Sequence, residues 1–142
     1  MNAVVFELHP QLAADTHCVR DLELSRVLLM DDARFPWLIL VPMRAGMRDW
    51  IDLPHALQHR LLDEVELCSR ALRALVKPDK LNIAALGNMV PQLHVHVVAR
   101  HAGDAAWPKP VWGVGERVPY SAAALAARTA ELLAQIEPAS RG

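Results

Sequence analysis

The sequence predicts an α+β fold: a five-stranded antiparallel sheet with one long helix packed on it and a second helix at the C-terminal end. Three observations predict it. Trp37-Leu38-Ile39-Leu40-Val41 is wholly apolar between Pro36 and Pro42, the pattern of a buried strand. Leu57, Leu61, Val65, Cys68, Leu72 and Leu75 recur at helical spacing and form one apolar stripe, with Arg60, Asp63, Glu64, Glu66, Arg70 and Arg73 mainly off it. Short turn-bounded apolar segments before and after that helix argue for strands joined by tight connections, and hence for an antiparallel layer.

In chain order, Phe6 to Pro10 reads as a segment that docks the N-terminal end. Thr16 to Asp21 follows as a strand with Cys18 as its inward candidate, and Ser25 to Met30 as a second. Asp31-Asp32-Ala33-Arg34 supplies turn chemistry before the apolar strand. Asp52-Leu53-Pro54 opens the long helix, with Asp52 or Leu53 at the cap and Pro54 in the first turn; Pro78 closes it. Trp50 reads as packing at the helix entrance. Leu81 to Leu86 returns as a strand, Gly87-Asn88 turns, and Gln92-Leu93-His94-Val95-His96-Val97-Val98 is the fifth strand. After Arg100 the chain is loop-like through Gly103, Pro108, Pro110, Gly113 and Gly115, and Ser121 caps a final helix to about Ile136.

With 142 residues and no internal repeat or linker, a single domain over 1–142 is expected, with its core over about 20–105 and a tail and helix over 106–138. Hydrophobic residues make up 53%, which excludes a disordered chain. Fifteen Lys and Arg against sixteen Asp and Glu argue against a general nucleic-acid binder. Cys18 and Cys68 lack Cys-x-x-Cys spacing, so neither a disulfide framework nor a thiolate zinc site is expected. The first residues lack a signal-peptide pattern and no apolar run spans a membrane, so a cytoplasmic location and no membrane partner are expected.

Chemistry concentrates in the fifth strand. Alternation sends Gln92, His94, His96 and Val98 to one face and Leu93, Val95 and Val97 to the other. At roughly 3.3 Å per residue the two imidazoles stand about 7 Å apart, within reach of one small anionic group. A neutral imidazole offers a nucleophilic lone pair at pH 7 without a separate base. A second one beside it can stabilise phosphate oxygens or assist a leaving group. The bare spacing leaves other readings open: two satisfied histidines in a polar cleft, or two metal ligands, with His17, His101 or Asp104 completing the set. His55 and His59 share a helix face at i, i+4, where a solvated face is the simpler account. Trp107 and Trp112, set among prolines, would close over a base or a neighbouring subunit, or pack in the core.

The run from Leu86 to Arg100, Leu-Gly-Asn-Met-Val-Pro-Gln-Leu-His-Val-His-Val-Val-Ala-Arg, resembles the signature of the histidine triad (HIT) family, His-x-His-x-His followed by two apolar residues. Leu38 to Pro42 and the order of strand and long helix extend the resemblance over roughly 20–105. His101-Ala102-Gly103-Asp104 is similar to the segment after the triad in the fragile-histidine-triad branch, whose members hydrolyse dinucleoside polyphosphates. The resemblance implies a homodimer and nucleotidyl hydrolysis or transfer through a nucleotidyl-histidine intermediate. It gives His94 the place of the nucleophile and His96 that of the residue contacting phosphate and leaving group. Asn88 matches the polar turn residue beside the phosphate, and Asp31 the group that binds the ribose hydroxyls. No protein cofactor and no metal site are implied, although Mg2+ chelated by substrate phosphates is compatible.

Two positions depart from the family pattern. Gln92 stands where the first triad histidine would be, and Pro36-Trp37 where a Gly-His is frequent. In the family a backbone carbonyl of the motif strand holds the nucleophile's donor nitrogen, and such an acceptor survives a His-to-Gln change. Gln92 is read as a substrate-side hydrogen-bonding group that cannot titrate. If the two absent histidines were partners, their joint absence is one repacking rather than two losses. The expected function is therefore a nucleotidyl hydrolase or transferase acting on dinucleoside polyphosphates or related nucleoside phosphates. The alternatives are a non-catalytic nucleotide-binding sensor and, behind it, a His-x-His metal enzyme.

Overall fold

Two strand-rich segments flanking one long helix build a five-stranded antiparallel sheet. In the computed structural model, which describes residues 5–137, the order is α1 (Pro10–Asp15), β1 (Thr16–Asp21), β2 (Ser25–Met30), β3 (Trp37–Pro42), α2 (His55–Val76), β4 (Lys80–Ala84), β5 (Val95–Arg100) and α3 (Ala122–Gln135). Residues 1–4 and 138–142 lie outside the described residues, and with them the ends of the expected domain, the last position of the tail and the start of the stretch read for a signal peptide. The sheet order is β1-β2-β3-β5-β4, with every neighbouring pair antiparallel. The α+β architecture expected from the sequence is the one observed. No helix among the described residues is long and apolar enough to cross a membrane.

Both faces of the central strands are buried, which is why β3 shows no polar alternation. On one face Leu38, Leu40, Val95, Val97 and Ala99 pack against Leu61, Val65, Cys68 and Leu72 of α2 and against Leu132 of α3. On the other, Trp37, Ile39, Val41 and Val98 meet Leu12 of α1, Phe35, Ala106 and Val111. That second layer consists mainly of loop. Arg100, 2% exposed at the end of β5, holds it through a bidentate pair with Asp104 at 2.8 and 2.9 Å and a bond to Asn82 at 3.0 Å. The Arg100 guanidinium holds the Asp104 carboxyl far below the usual carboxylate range, and backbone N–H groups of His101 and Ala106 act in the same direction.

Several local expectations are corrected. The docking segment after Phe6 continues into α1, six residues too short to show periodicity, started by Pro10 and by the His9 ring accepting from the Gln11 N–H at 3.1 Å. Cys18 is exposed rather than inward: it pairs with Leu28 on the loop-covered face of an edge strand, and alternation gives Val19 to the core instead. Pro54 is the N-cap of α2, and the Asp52 carboxylate accepts from the Asp49 and Arg48 N–H groups in the turn before it. The strand expected over Leu81 to Leu86 runs over Lys80–Ala84. The histidine strand starts three residues later than expected: Pro91 has no N–H and the Leu93 N–H goes to the Met47 carbonyl, so the ladder begins at Val95.

The largest correction lies on α2. Glu64, placed off the apolar stripe by the sequence pattern, is 5% exposed, and its two oxygens accept from the Leu24 and Ser25 N–H groups at 2.9 Å each. Burial raises its pKa, with those backbone donors acting against the shift. The carboxylate satisfies the two donors where β1 turns into β2, thereby fixing the hairpin to the helix. Glu64→Leu leaves both buried N–H groups without an acceptor and is expected to cost about 2 kcal/mol or more, read as a lower urea midpoint with an unchanged slope.

Candidate functional site

The site follows from the alternation of β5. Val95, Val97 and Ala99 face α2, so His94, His96 and Val98 face the loop-covered layer. There an apolar cleft of about 530 Å³ opens, lined by His94 and His96, by Gln11, Leu12 and Asp15 of α1, by Met30 and Ile39, by Leu86 to Val90, and by Trp112. The cleft rim turns at Gly87, whose φ of 77° favours glycine and brings Asn88 to the opening. The two imidazoles meet edge to face with ring centroids 4.9 Å apart. They are closer than a regular strand spacing gives, because His94 precedes the ladder.

Each ring has a fixed hydrogen-bonding role. His94 Nδ1 lies 2.6 Å from the Gln92 carbonyl oxygen, which can only accept, so Nδ1–H donates and Nε2 keeps its lone pair. The carbonyl of residue 92 thus does what the resemblance implied for this strand. Trp37 Nε1–H donates to His96 Nδ1 at 3.0 Å, which makes Nε2 the protonated nitrogen of that ring. Trp112 closes over His96 with ring centroids 5.0 Å apart. A neutral ring with a free lone pair therefore stands beside a neutral N–H donor.

Burial keeps both rings uncharged. His94 has its pKa held below the ordinary value by desolvation, aided by nearby His9 and opposed by the Gln92 carbonyl. His96 is pushed down to about 3, mainly by burial and further by His94. At neutral pH His96 is a hydrogen-bond donor and not a charged acid.

The other predicted residues divide. Asn88 is exposed at the cleft rim. Asp31 directly follows β2 and is not among the lining residues. Its carboxylate accepts from the Tyr120 N–H at 3.0 Å and lies 3.1 Å from His17 Nε2 and 3.8 Å from Arg117. Burial alone would raise its pKa, but the Tyr120 N–H and His17 outweigh it and the net shift is downward. Asp15 is the carboxylate that lines the cleft, accepting from Gln11 Nε2 at 2.9 Å. The Gln92 side chain bonds away from the cleft: Oε1 accepts from the His9 N–H at 2.9 Å and Nε2 donates to the Glu7 carbonyl at 2.8 Å. Gln92 and Trp37 thus have separate partners and share no bond with each other.

His101 binds the Val76 carbonyl at 2.8 Å at the end of α2, and Asp104 serves Arg100. Neither lines the cleft with the histidine pair, and among the described residues no three His, Cys, Asp or Glu side chains converge as metal ligands. His55 and His59 stack on α2 at 4.7 Å, away from the cleft. Sequence reasoning missed Gln11, Leu12, Asp15, Met30 and Ile39 as cleft residues. Of these only Ile39 had a usable signal, since an antiparallel pairing of two buried strands sets it opposite His96.

The HIT domain family matches residues 11–103. Among solved structures, a histidine triad protein from Bradyrhizobium japonicum is 48% identical and superposes with a TM-score of 0.92, covering 94% of this chain and 100% of that one. One from Marinobacter aquaeolei is 47% identical with a TM-score of 0.92, covering 94% and 97%. Another from Sinorhizobium meliloti is 40% identical with a TM-score of 0.90, covering 92% and 96%. No curated protein matches.

Two outcomes are expected of this geometry. Trp37→Phe keeps the ring but removes the donor to His96 Nδ1, so the buried ring nitrogen loses its partner and its tautomer is no longer fixed. Imidazole nitrogen shifts in NMR should then report mixed tautomers for His96. Because burial outweighs the Gln92 carbonyl at His94, that ring should protonate only below the ordinary histidine value of about 6.5, read as the midpoint of its NMR titration.

Proposed function

The chain belongs to the histidine triad (HIT) family, and from that premise we propose that it is a nucleotidyl hydrolase or transferase with His94 as nucleophile. The observation that carries the reading is the bond from His94 Nδ1–H to the Gln92 carbonyl. It leaves Nε2 unprotonated and directed by the main chain, in a cleft that also holds His96. In the first step Nε2 attacks phosphorus; a P–N bond forms while the bond from phosphorus to the leaving oxygen breaks, and its electron pair departs with the leaving group. Water then attacks the same phosphorus, the P–N bond breaks with its electrons returning to Nε2, and the water proton passes to solvent. Another acceptor in place of water makes the same enzyme a transferase.

His96 Nε2–H donates to a phosphoryl oxygen as charge builds there. Asn88 serves the phosphate at the cleft rim, and the apolar wall of Met30, Ile39 and Trp112 takes the base. Asp31 Oδ1 takes the Tyr120 N–H and His17, which leaves Oδ2, 3.8 Å from Arg117, as the oxygen that accepts from a ribose hydroxyl reaching past the cleft.

The low pKa of His96 favours one substrate class. An amine leaving from a phosphoramidate needs a proton, which a histidine titrating near 3 supplies poorly at neutral pH. A phosphate leaving from an anhydride departs without one. Dinucleoside polyphosphates, the substrates implied by the fragile-histidine-triad likeness, are therefore preferred, with Mg2+ chelated by their phosphates and no cofactor on the protein. The reading includes a homodimer: β4 is a sheet edge, and Leu62, Ile83 and Leu86 beside it are exposed apolar groups. A cytoplasmic location goes with the same reading.

Rapid mixing with a diadenosine polyphosphate, quenched in base and read by mass spectrometry, tests the proposal. An acid-labile nucleotidyl group on the peptide bearing His94, absent in His94→Ala, is the expected result, with turnover lost by a factor of about 1000 or more. Nucleotide binding by calorimetry without an adduct or turnover would replace the enzyme with a sensor.

A further inference from the structure

Gln92 occupies a triad position, yet it does not line the cleft itself; it borders the neighbouring hollow on the other side of His94. Its carboxamide spans two main-chain groups of one remote segment, accepting from the His9 N–H at 2.9 Å and donating to the Glu7 carbonyl at 2.8 Å. That segment runs directly into α1, whose Gln11, Leu12 and Asp15 form one wall of the cleft. Phe6, Leu8 and Leu12 pack on the apolar layer beneath it. Apolar packing attracts the segment without fixing where along the layer it rests. The paired hydrogen bonds, made to consecutive stretches of main chain, set that position.

We propose that Gln92 is a positioning residue that clasps the N-terminal segment in register and so shapes the nucleotide cleft from outside it. The identity of the cleft as a nucleotide site rests on the function proposed above. A carboxamide suits this task because it offers donor and acceptor side by side and does not titrate. An imidazole would offer them on opposite sides of a ring and would lose its acceptor on protonation. The same residue holds His94 through its carbonyl, a main-chain atom that no substitution removes. Side chain and carbonyl therefore divide two tasks: the first sets the wall, the second the nucleophile.

This division predicts a separation of KM from kcat. In Gln92→Ala, KM for a diadenosine polyphosphate should rise on the order of tenfold, from the loss of two hydrogen bonds, while kcat changes by less than about twofold. Hydrogen exchange at the amides of residues 9–15 should quicken on the order of tenfold as the segment loosens. Gln92→Met, close in length but unable to donate to Glu7 and a poor acceptor for His9, should match alanine in both readouts and guards against a cavity effect in the alanine variant. Unchanged exchange in both variants would overturn the clasp. A fall in kcat at constant KM would overturn it equally, by putting the side chain on the reacting atoms. A wild-type protein that turns over no nucleotide refutes the proposed function, whereas the exchange measurement still decides whether Gln92 holds the segment.

Discussion

Strand β5 must satisfy two layers at once, and most of the molecule follows from that constraint. Its odd-numbered residues Val95, Val97 and Ala99 seal the sheet against α2, so its even-numbered residues are committed to the opposite face. A slip by one residue would bury His96 against the helix and turn the valines to the cleft. The buried Arg100, two residues beyond Val98 on the cleft-side face, ties down the loop through Asp104 and thereby gives that face its cover. Site, cover and core are thus set by one register.

The electrostatics of the cleft follow from the cover. Trp37 and Trp112 exclude water from His96, and desolvation of a cationic form is costly enough to keep the ring neutral. The Trp37 indole then decides which nitrogen carries the remaining proton. The structure spends a bulky aromatic on a choice of tautomer. In return the histidine pair presents a lone pair and an N–H next to each other, neither ring carrying a charge.

Elements whose burial leaves a periodic trace were legible in the sequence. β2, β3 and α2 were bounded to within a few residues, and the motif around His94 and His96 led directly to the cleft. Features made by long-range hydrogen bonds were not. Glu64 looked like any solvent-facing acid on a helix, because its partners are main-chain groups forty and thirty-nine residues away, which no pattern around it records. Helix α1 was missed because six residues cannot display a helical repeat, and its cleft residues were missed with it. Asp31 was singled out by its place at a strand end, but the late segment at Tyr120 and the nearby His17 engage its carboxylate. Cys18 is exposed because β1 is the sheet edge and little covers that end of its face, which no local pattern announces.

The bond from His94 to the carbonyl of residue 92 has a consequence for how such sequences diverge. Its acceptor belongs to the polypeptide and is encoded by every amino acid. The side chain at position 92 can therefore change without disturbing the orientation of the His94 ring. A side chain there is free to bond elsewhere, as the carboxamide does with the His9 N–H and the Glu7 carbonyl. Counting histidines in a motif of this kind measures what has been recruited, and says little about whether the orientation of the reactive ring has been inherited.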